Sequence, residues 1–351
     1  MPSESSRAAR TSSSTDTGLP RRSRRFVTFL SVALVSLFFG TSLSAVASAA
    51  PGVSSLEKVE SEGPNQFAAY IYSASMAKTI KVQVLVPAVE RGPRPVLTML
   101  SGLGEEDPNN SMWFRKTDAK DFFRDKNVTV AFPLAGNGSF YTDWQRDDPK
   151  LGRYRWETFL TKEMPPLIDA RFNGNGIRGI AGLSMGAGSA LMLAARNPGF
   201  FRSVGSYSGC YSTADLLSQG IPRGVVAAFG GDANNMWGPP NNPAWAAHDV
   251  LLRAEGLRGS TVYVSSGSGL PGPFDDPKYP GNDNPTDRYI IGGGIEAGAN
   301  FCTHRLADTL AARRIPATFD FEAHGTHSWP YWQVQMKRSW PILSRGLGVT
   351  G

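Results

Sequence analysis

The sequence is poor in the residues that bind metal ions. Its 351 residues include only two cysteines, Cys210 and Cys302, and four histidines. No second cysteine stands near either cysteine at the short spacing that metal ligands usually show. We therefore expect no metal site and no cofactor. The two cysteines instead suit an oxidising compartment, where they could form one disulfide.

The net positive charge outside the first fifty residues is also small. The formal net charge is +6, but residues 1–49 hold six arginines against one aspartate and one glutamate, which accounts for +4 of it. The remaining +2 is too little for an electrostatic footprint on nucleic acid. Hydrophobic residues make up 41% of the chain and charged residues 19%, as in an ordinary folded protein. We expect a globular protein without a nucleic-acid partner.

Only one long apolar run occurs, and it lies near the N-terminus. Residues 26–43 follow the basic string 21–25 and precede the small residues 45–50. This order is typical of a cleaved export signal. The alternative is a membrane anchor. Two features argue against it, because the run contains several hydroxyl residues and is shorter than the span of about 20 residues that a transmembrane helix needs. We predict cleavage after Ala49, with residues 1–49 as leader and 50–351 as one secreted domain; Sec and twin-arginine export both stay open.

Short apolar runs alternate with helical patterns along residues 50–351, and no internal repeat occurs. Residues 96–100 read as a central parallel strand, whereas residues 80–86 alternate as a half-buried strand near a sheet edge does. The alternation predicts an α/β fold, a mostly parallel sheet with helices on both faces. The other predicted strands are 128–132, 179–182, 203–206, 261–265 and 318–321, and the predicted helices are 113–126, 156–171, 185–196 and 299–313.

Two long segments and one proline pair stand out from this pattern. Residues 231–260 and 266–295 are rich in Gly, Pro and Asn, which predicts long ordered loops. Such loops often form lids or substrate walls, although surface insertions without a role are the alternative. Pro165-Pro166 falls inside a predicted helix and predicts a kink or break there.

The segment Gly182-Leu183-Ser184-Met185-Gly186 matches the G-x-S-x-G pattern. A predicted strand precedes it and a predicted helix follows it, the setting of a nucleophile elbow. In that turn the serine hydroxyl projects at a helix N-terminus, whose dipole favours developing negative charge. We predict that Ser184 is the nucleophile of an acyl-transfer enzyme with the α/β-hydrolase fold.

A serine hydroxyl needs a base that accepts its proton. In this fold the chain order is serine, acid, histidine, with the histidine after the last strand. His324 and His327 both follow the predicted last strand, and spacing prefers neither; His248 and His304 are expected to be structural or surface residues. Spacing also leaves the acid open among five candidates, which are Asp275, Asp276, Asp283, Asp287 and Glu296.

The oxyanion hole requires two backbone N–H groups aimed at the developing charge. The first is expected from Met185, the residue after the nucleophile. The second is expected from the glycine-containing loop after strand 96–100, at Leu103 or a neighbour. An ordinary turn is the alternative interpretation of those glycines.

Five segments resemble the antigen 85 mycolyltransferase family of mycolic-acid-bearing actinobacteria. They follow the family's order, and the last two are unusual tryptophan-containing strings. The segments are SFYTDW at 139–144, GLSMG at 182–186, NMWGP at 235–239, NPAW at 242–245 and GTHSWPYW at 325–332.

The resemblance implies a catalytic triad of Ser184, Glu296 and His327, with His324 non-catalytic. It also implies oxyanion donors at Leu103 and Met185 and places Trp329 beside the acyl or sugar site. The implied reaction passes a mycolyl group from trehalose monomycolate to the serine and then to a second hydroxyl. A monomer in peripheral contact with the outer lipid layer is expected.

One substrate loop departs from the family. Many members carry Asp-Gly-Leu-Arg there, and the Asp and Arg contact trehalose; here the loop reads Ser101-Gly102-Leu103-Gly104. Ser101 thus stands at a substrate-binding position without the charge. The acceptor is therefore left open among a trehalose glycolipid, arabinogalactan and a protein serine.

Two alternative functions are compatible with the same sequence features. A secreted carboxylesterase would use water as the acceptor, and a non-catalytic adhesin would use segment 139–144, which resembles a matrix-binding stretch of the family. The triad residues argue against the adhesin. A Cys210–Cys302 bond would tie the segment of Glu296 to the sheet near Ser184.

Overall fold

The computed structural model describes residues 52–104, 107–279 and 285–349. The predicted leader, residues 1–49, lies outside the described residues, as does the acid candidate Asp283. The strands are β1 Ser55–Gly63, β2 Gln66–Ser73, β3 Lys78–Leu85, β4 Arg94–Leu100, β5 Thr129–Pro133, β6 Gly174–Leu183, β7 Ser203–Tyr207, β8 Thr261–Ser266 and β9 Thr318–Phe321.

The strands of the described residues form one mixed sheet in the order β1-β2-β3-β5-β4-β6-β7-β8-β9. The strands from β5 to β9 in that order run parallel, and β1, β2 and β3 extend the sheet as antiparallel strands. Strand β6 therefore lies inside the sheet, between β4 and β7. Ligands bind at the carboxyl ends of such parallel strands, so this edge is the place for a site.

Helices and helical turns connect the strands. Two π-helical turns occur at Phe159–Glu163 and Arg288–Gly292, and two 3₁₀ turns at Ala254–Leu257 and Pro273–Asp275. The α-helices are α1 Met112–Lys116, α2 Ala119–Phe123, α3 Trp156–Thr158, α4 Met164–Phe172, α5 Met185–Arg196, α6 Leu216–Ala228, α7 Ala233–Trp237, α8 Pro243–Ala247, α9 Val250–Arg253, α10 Pro285–Asp287, α11 Gly293–Ala312 and α12 Trp329–Leu347.

The sheet separates two apolar cores. Successive residues of β4 enter different cores, Val96 in one and Leu97 in the other, because side chains alternate across a strand. Helix α5 contributes Leu191 to the first core, and α12 contributes Leu343 to the second. Helices on both faces of a mostly parallel sheet confirm the predicted α/β-hydrolase fold.

Most predicted elements are present, with three differences. The predicted helix 113–126 is divided into α1 and α2, because the Thr117 hydroxyl donates to the Trp113 carbonyl and ends the first helix. Pro165-Pro166 follows a π-helical turn, and the helical segment continues without a break. Strand β3 was expected near the edge, but β1 and β2 lie outside it and its last four residues are mostly buried.

Several elements escaped the sequence patterns. Strands β1 and β2 were missed because β1 is largely exposed and shows no apolar period. Helices α6 and α12 were also missed, and each contains a proline, Pro222 and Pro341, a residue that is disfavoured inside a helix. The two long segments expected to be loops contain α7, α8, α9 and α10, together with the first turn of α11.

Candidate active site

Ser184 occupies the sharp turn between β6 and α5. Its φ of 53° and ψ of −120° are a strained conformation for a non-glycine residue. A Cβ on Gly182 would come within 2.4 Å of the Gly186 carbonyl oxygen, and one on Gly186 within 2.3 Å of the Ser101 carbonyl oxygen. Both glycines are therefore required by the close approach of backbone in the turn. The Ser184 N–H donates to the Tyr207 carbonyl at 2.9 Å, which fixes the turn to β7.

His327 lies beside this serine. Its Nε2 is 2.8 Å from Ser184 Oγ, and its Nδ1 is 2.7 Å from Glu296 Oε2. His324 is exposed, and its Nδ1 lies 3.1 Å from the Pro271 carbonyl oxygen. His327 thus contacts Ser184, whereas His324, three residues earlier in the sequence, lies at the surface.

Glu296 lies in the first turn of α11 and is 1% exposed. Its Oε1 accepts hydrogen bonds from the Ser208 hydroxyl and the Gly267 N–H, both at 2.7 Å. Ser208 in turn accepts from Trp332 Nε1 at 3.0 Å, and the Trp332 ring meets the His327 ring edge-on at 4.8 Å. A buried carboxylate with these donors stays oriented toward the histidine.

The other acid candidates lie elsewhere. Asp275 is buried and accepts from the Thr326 hydroxyl rather than from a ring nitrogen of His327. Asp276 is exposed, and Asp287 ends α10. Ser208 and Trp332 were missed by sequence reasoning. The one available signal was the position of Ser208 directly after β7, at the same sheet edge as Ser184.

The two expected oxyanion donors lie in segments next to Ser184. Met185 is the first residue of α5, where an N–H has no partner within the helix. The loop of Leu103 is close to the serine, since a Cβ on Gly102 would lie 3.3 Å from Ser184 Cβ. Ser101 is 2% exposed and does not line the cavity beside Ser184, which argues against the predicted direct contact between Ser101 and substrate.

Ser184 and His327 lie in the wall of a cavity of about 790 Å³. Its size falls within the range of small-molecule pockets, and its wall is mainly apolar. Trp329 forms part of that wall and packs edge-on against Trp113 and Trp332. Other lining residues include Leu103, Phe140, Met192, Val225, Phe229 and Trp237.

The two remaining histidines make aromatic contacts. His248 lines the cavity, stacks on Trp237 at 4.6 Å and has its Nδ1 2.7 Å from the Ala244 carbonyl oxygen. Burial, reinforced by the charge of Arg196, lowers the pKa of His248 to about 3. His304 is exposed and stacks on Phe321.

Cys210 and Cys302 form the predicted disulfide, with Cα atoms 5.0 Å apart. Cys210 follows Ser208 in the segment after β7, and Cys302 lies on α11 beyond Glu296. The bond therefore joins the acid-bearing helix to the segment whose serine donates to the acid.

Comparison with known proteins identifies the family. The family model described as a putative esterase matches residues 73–341. Diacylglycerol acyltransferase/mycolyltransferase Ag85A of Mycobacterium ulcerans is 34% identical over 79% of this chain and 80% of that protein. Ag85B of Mycobacterium leprae is 32% identical over 78% and 82%. The chain belongs to the antigen 85 mycolyltransferase family.

Solved structures agree with this assignment. The crystal structure of MPT51 from Mycobacterium tuberculosis has 25% sequence identity and a TM-score of 0.66, covering 78% of this chain and 96% of that one. An S-formylglutathione hydrolase from Agrobacterium tumefaciens, at 16% identity and a TM-score of 0.61, shares the fold over 84% and 99%. Within the described residues of this antigen 85 family member, no helix is both long and apolar enough to cross a membrane.

Proposed function

We propose that the protein is an exported serine acyltransferase. It passes a long acyl group of the mycolyl class from a trehalose-monomycolate-like glycolipid, through an acyl-enzyme at Ser184, to a hydroxyl acceptor in the cell envelope. The observation that carries the proposal is the run of hydrogen bonds from Ser184 through His327 to Glu296 in the wall of the apolar cavity. The mycolyltransferase names of the relatives support the same reaction class.

Acylation begins when Ser184 Oγ attacks the ester carbonyl carbon and its proton moves to His327 Nε2. The N–H groups of Leu103 and Met185 stabilise the oxyanion that forms. The bond to the sugar oxygen then breaks, and His327 returns the proton to that oxygen. Glu296 accepts from Nδ1–H, holds the ring and stabilises the imidazolium.

Deacylation runs the same steps with a second hydroxyl. His327 takes the proton of the acceptor, whose oxygen attacks the acyl carbon, and the proton returns to Ser184. If water takes the acceptor's place, the enzyme is a carboxylesterase, the activity that the putative esterase family model also fits. The identity of the acceptor therefore distinguishes an acyltransferase from a carboxylesterase.

An exposed apolar rim supports contact with the outer lipid layer. We define the rim as Leu216, Leu217 and Ile221 of α6 together with Ile290, Ile291, Ile295 and Phe301 around the start of α11; each is at least 50% exposed. Ile221 and Ile295 also line the cavity, so the rim is continuous with the acyl site. Burying an aliphatic side chain contributes about 1.5–3 kcal/mol, which makes the rim a candidate lipid-contacting surface.

The rim is tested by sedimentation with vesicles of trehalose dimycolate and phosphatidylcholine. Leu217→Glu and Ile291→Glu should each weaken binding by at least about tenfold. Val89→Glu is the matched control, because Val89 is 59% exposed but precedes the amino end of β4, away from the cavity. Equal binding by all three variants would contradict lipid contact through the rim.

The acceptor site should differ from that of relatives with Asp and Arg in the loop. A Cβ on Gly104 would lie 2.4 Å from the Asn137 side chain, so this position excludes an arginine unless Asn137 moves. Each lost charged hydrogen bond weakens binding by about 1.5–3 kcal/mol, and two by roughly a hundredfold or more. We therefore propose that transfer to free trehalose is slow and that a polysaccharide or peptide-serine hydroxyl is the better acceptor.

One assay tests these points together. The exported protein is incubated with trehalose monomycolate and, in separate arms, trehalose, arabinogalactan fragments or a serine peptide, while free acid and transferred product are both measured. The proposal expects acceptor-dependent transfer that Ser184→Ala abolishes. Release of free acid alone indicates a carboxylesterase, and an unreacted Ser184 indicates a binding protein. Efficient, saturable formation of trehalose dimycolate would contradict the acceptor proposal alone.

Export is proposed from the leader-like residues 1–49. N-terminal sequencing of the protein from culture medium should find the chain beginning at Ala50. A chain that keeps residues 26–43 in the membrane fraction would instead indicate an anchor.

A further inference from the structure

A second buried carboxylate lies behind the loop that carries His327. Asp275 is 1% exposed and ends the 3₁₀ turn Pro273–Asp275. Its Oδ1 accepts from the Thr326 hydroxyl at 2.7 Å. Its Oδ2 accepts from the Tyr331 hydroxyl at 2.6 Å and from the Gly272 N–H at 2.9 Å. One carboxylate thus holds residues on both sides of His327 in the sequence.

Aromatic side chains pack around the contact between Tyr331 and Asp275. The Tyr331 ring lies against Gly325, where a Cβ would come within 3.1 Å of it, and meets the Phe274 ring edge-on at 5.0 Å. The Tyr289 hydroxyl donates to the Asp275 carbonyl oxygen at 2.6 Å. Burial and the hydrogen bond to Asp275 raise the pKa of Tyr331, so its hydroxyl remains a donor at neutral pH.

The His327 loop is fixed from a second side as well. The His327 N–H donates to the Gly292 carbonyl at 3.1 Å, and Gly292 lies one turn before Glu296. The backbone of His327 is therefore held by the turn that precedes Glu296, while the Thr326 side chain is held by Asp275. The position of the His327 ring depends on both contacts, because the Thr326 hydroxyl lies 2.7 Å from Asp275 Oδ1, closer than the 3.3 Å to the Ser328 hydroxyl.

We infer that Asp275 is a positioning residue, which holds Thr326 and Tyr331 so that His327 Nε2 stays within hydrogen-bond distance of Ser184 Oγ. The inference rests on the proposed function, since it assigns His327 the role of base. A displacement of about 1 Å at such a base lowers the rate by roughly a hundredfold. Asp275 and Thr326 do not line the cavity, so substrate binding should not change.

The test is the acylation of Ser184 by p-nitrophenyl butyrate, followed by stopped-flow release of p-nitrophenolate. Asp275→Asn and the isosteric Thr326→Val should lower the acylation rate constant about 10- to 100-fold with little change in KM. Thr326→Ser, which keeps the hydroxyl, should stay within about threefold of wild type. Asp276→Asn, at the exposed neighbour, is the matched control and should stay within about twofold.

A double-mutant cycle separates positioning from general loss of stability. The double variant Asp275→Asn with Thr326→Val should react no more slowly than Asp275→Asn alone, because both substitutions remove the same contact between Asp275 and Thr326. Thr326→Val reacting as fast as wild type, or Thr326→Ser reacting as slowly as Thr326→Val, would overturn the inference. If wild-type protein does not release p-nitrophenolate at all, the proposal for Ser184 fails instead, which keeps the two failures distinct.

Discussion

The elbow at Ser184 and the segment from β8 to the start of α12 are built in different ways. The elbow needs few residues beyond 182–186, and steric contacts of two glycines define it. The second region depends on contacts between residues far apart in sequence: 31 residues separate Glu296 from His327, and 51 separate Asp275 from Thr326. The first region is held by backbone geometry and the second by a polar network with a disulfide.

This difference predicts how each region responds to mutation. Removing a group from the elbow removes the reacting atom itself. Removing one partner from the network leaves the others in place, so the loss should be graded according to the distance from His327. Three predictions test the comparison, from the largest expected effect to the smallest, and a fourth concerns His248, which lies outside both regions.

The largest effect is expected at the elbow. Ser184→Ala should lower kcat by about 10⁴–10⁶, because no other group can form the acyl-enzyme. The same variant should no longer be labelled by a fluorophosphonate, as measured by intact-protein mass. Stoichiometric labelling of Ser184→Ala would place the nucleophile at another residue.

The next effect distinguishes the two neighbouring histidines. His327→Ala should lower kcat by about 10⁴, close to the serine variant, because members of a triad act as a unit. His324→Ala, at the surface, should keep most of the activity and serves as the control. The reverse order would mean that the base is three residues away from the one proposed.

The disulfide should matter for stability. A closed loop of 92 residues contributes at most about 4.6 kcal/mol in the chain-entropy model. Cys210→Ser with Cys302→Ser should therefore lower the free energy of unfolding by up to that amount in guanidinium titration. Unreduced, unfolded wild-type protein should contain no free thiol. A double variant as stable as wild type would show that the bond does not constrain the second region.

His248 belongs to neither region, and its protonation affects stability only at acid pH. Its pKa of about 3 lies below the unfolded value of 6.5, so the unfolded chain binds the proton first as pH falls. Stability from His248 is complete above pH 6.5 and is lost toward pH 3, at up to about 1.4 kcal/mol per pH unit. His248→Asn should flatten that slope in urea titrations across this range. An unchanged slope would assign the pH dependence to other groups.

The sequence alone determined the parts of the protein whose geometry is local. The central strands follow from apolar periodicity, and the elbow follows from Gly182, Ser184 and Gly186, because side-chain alternation and steric exclusion act within a few residues. The fold class and the position of the proposed nucleophile needed nothing more. The family resemblance then selected Glu296 and His327, which spacing had left among several candidates.

Only the tertiary structure decided how the second region is assembled. Glu296 lies on a helix that begins at Gly293, although glycine costs about 1 kcal/mol in a helix and predicted a loop. Packing overrides that preference, since a Cβ on Gly293 would lie 2.7 Å from the Gly269 carbonyl oxygen. Ser208, Trp332 and Asp275 acquire their partners in the same way. Hydrogen bonds between distant segments leave no period in a sequence, because each residue's partner is set by the fold and not by its neighbours.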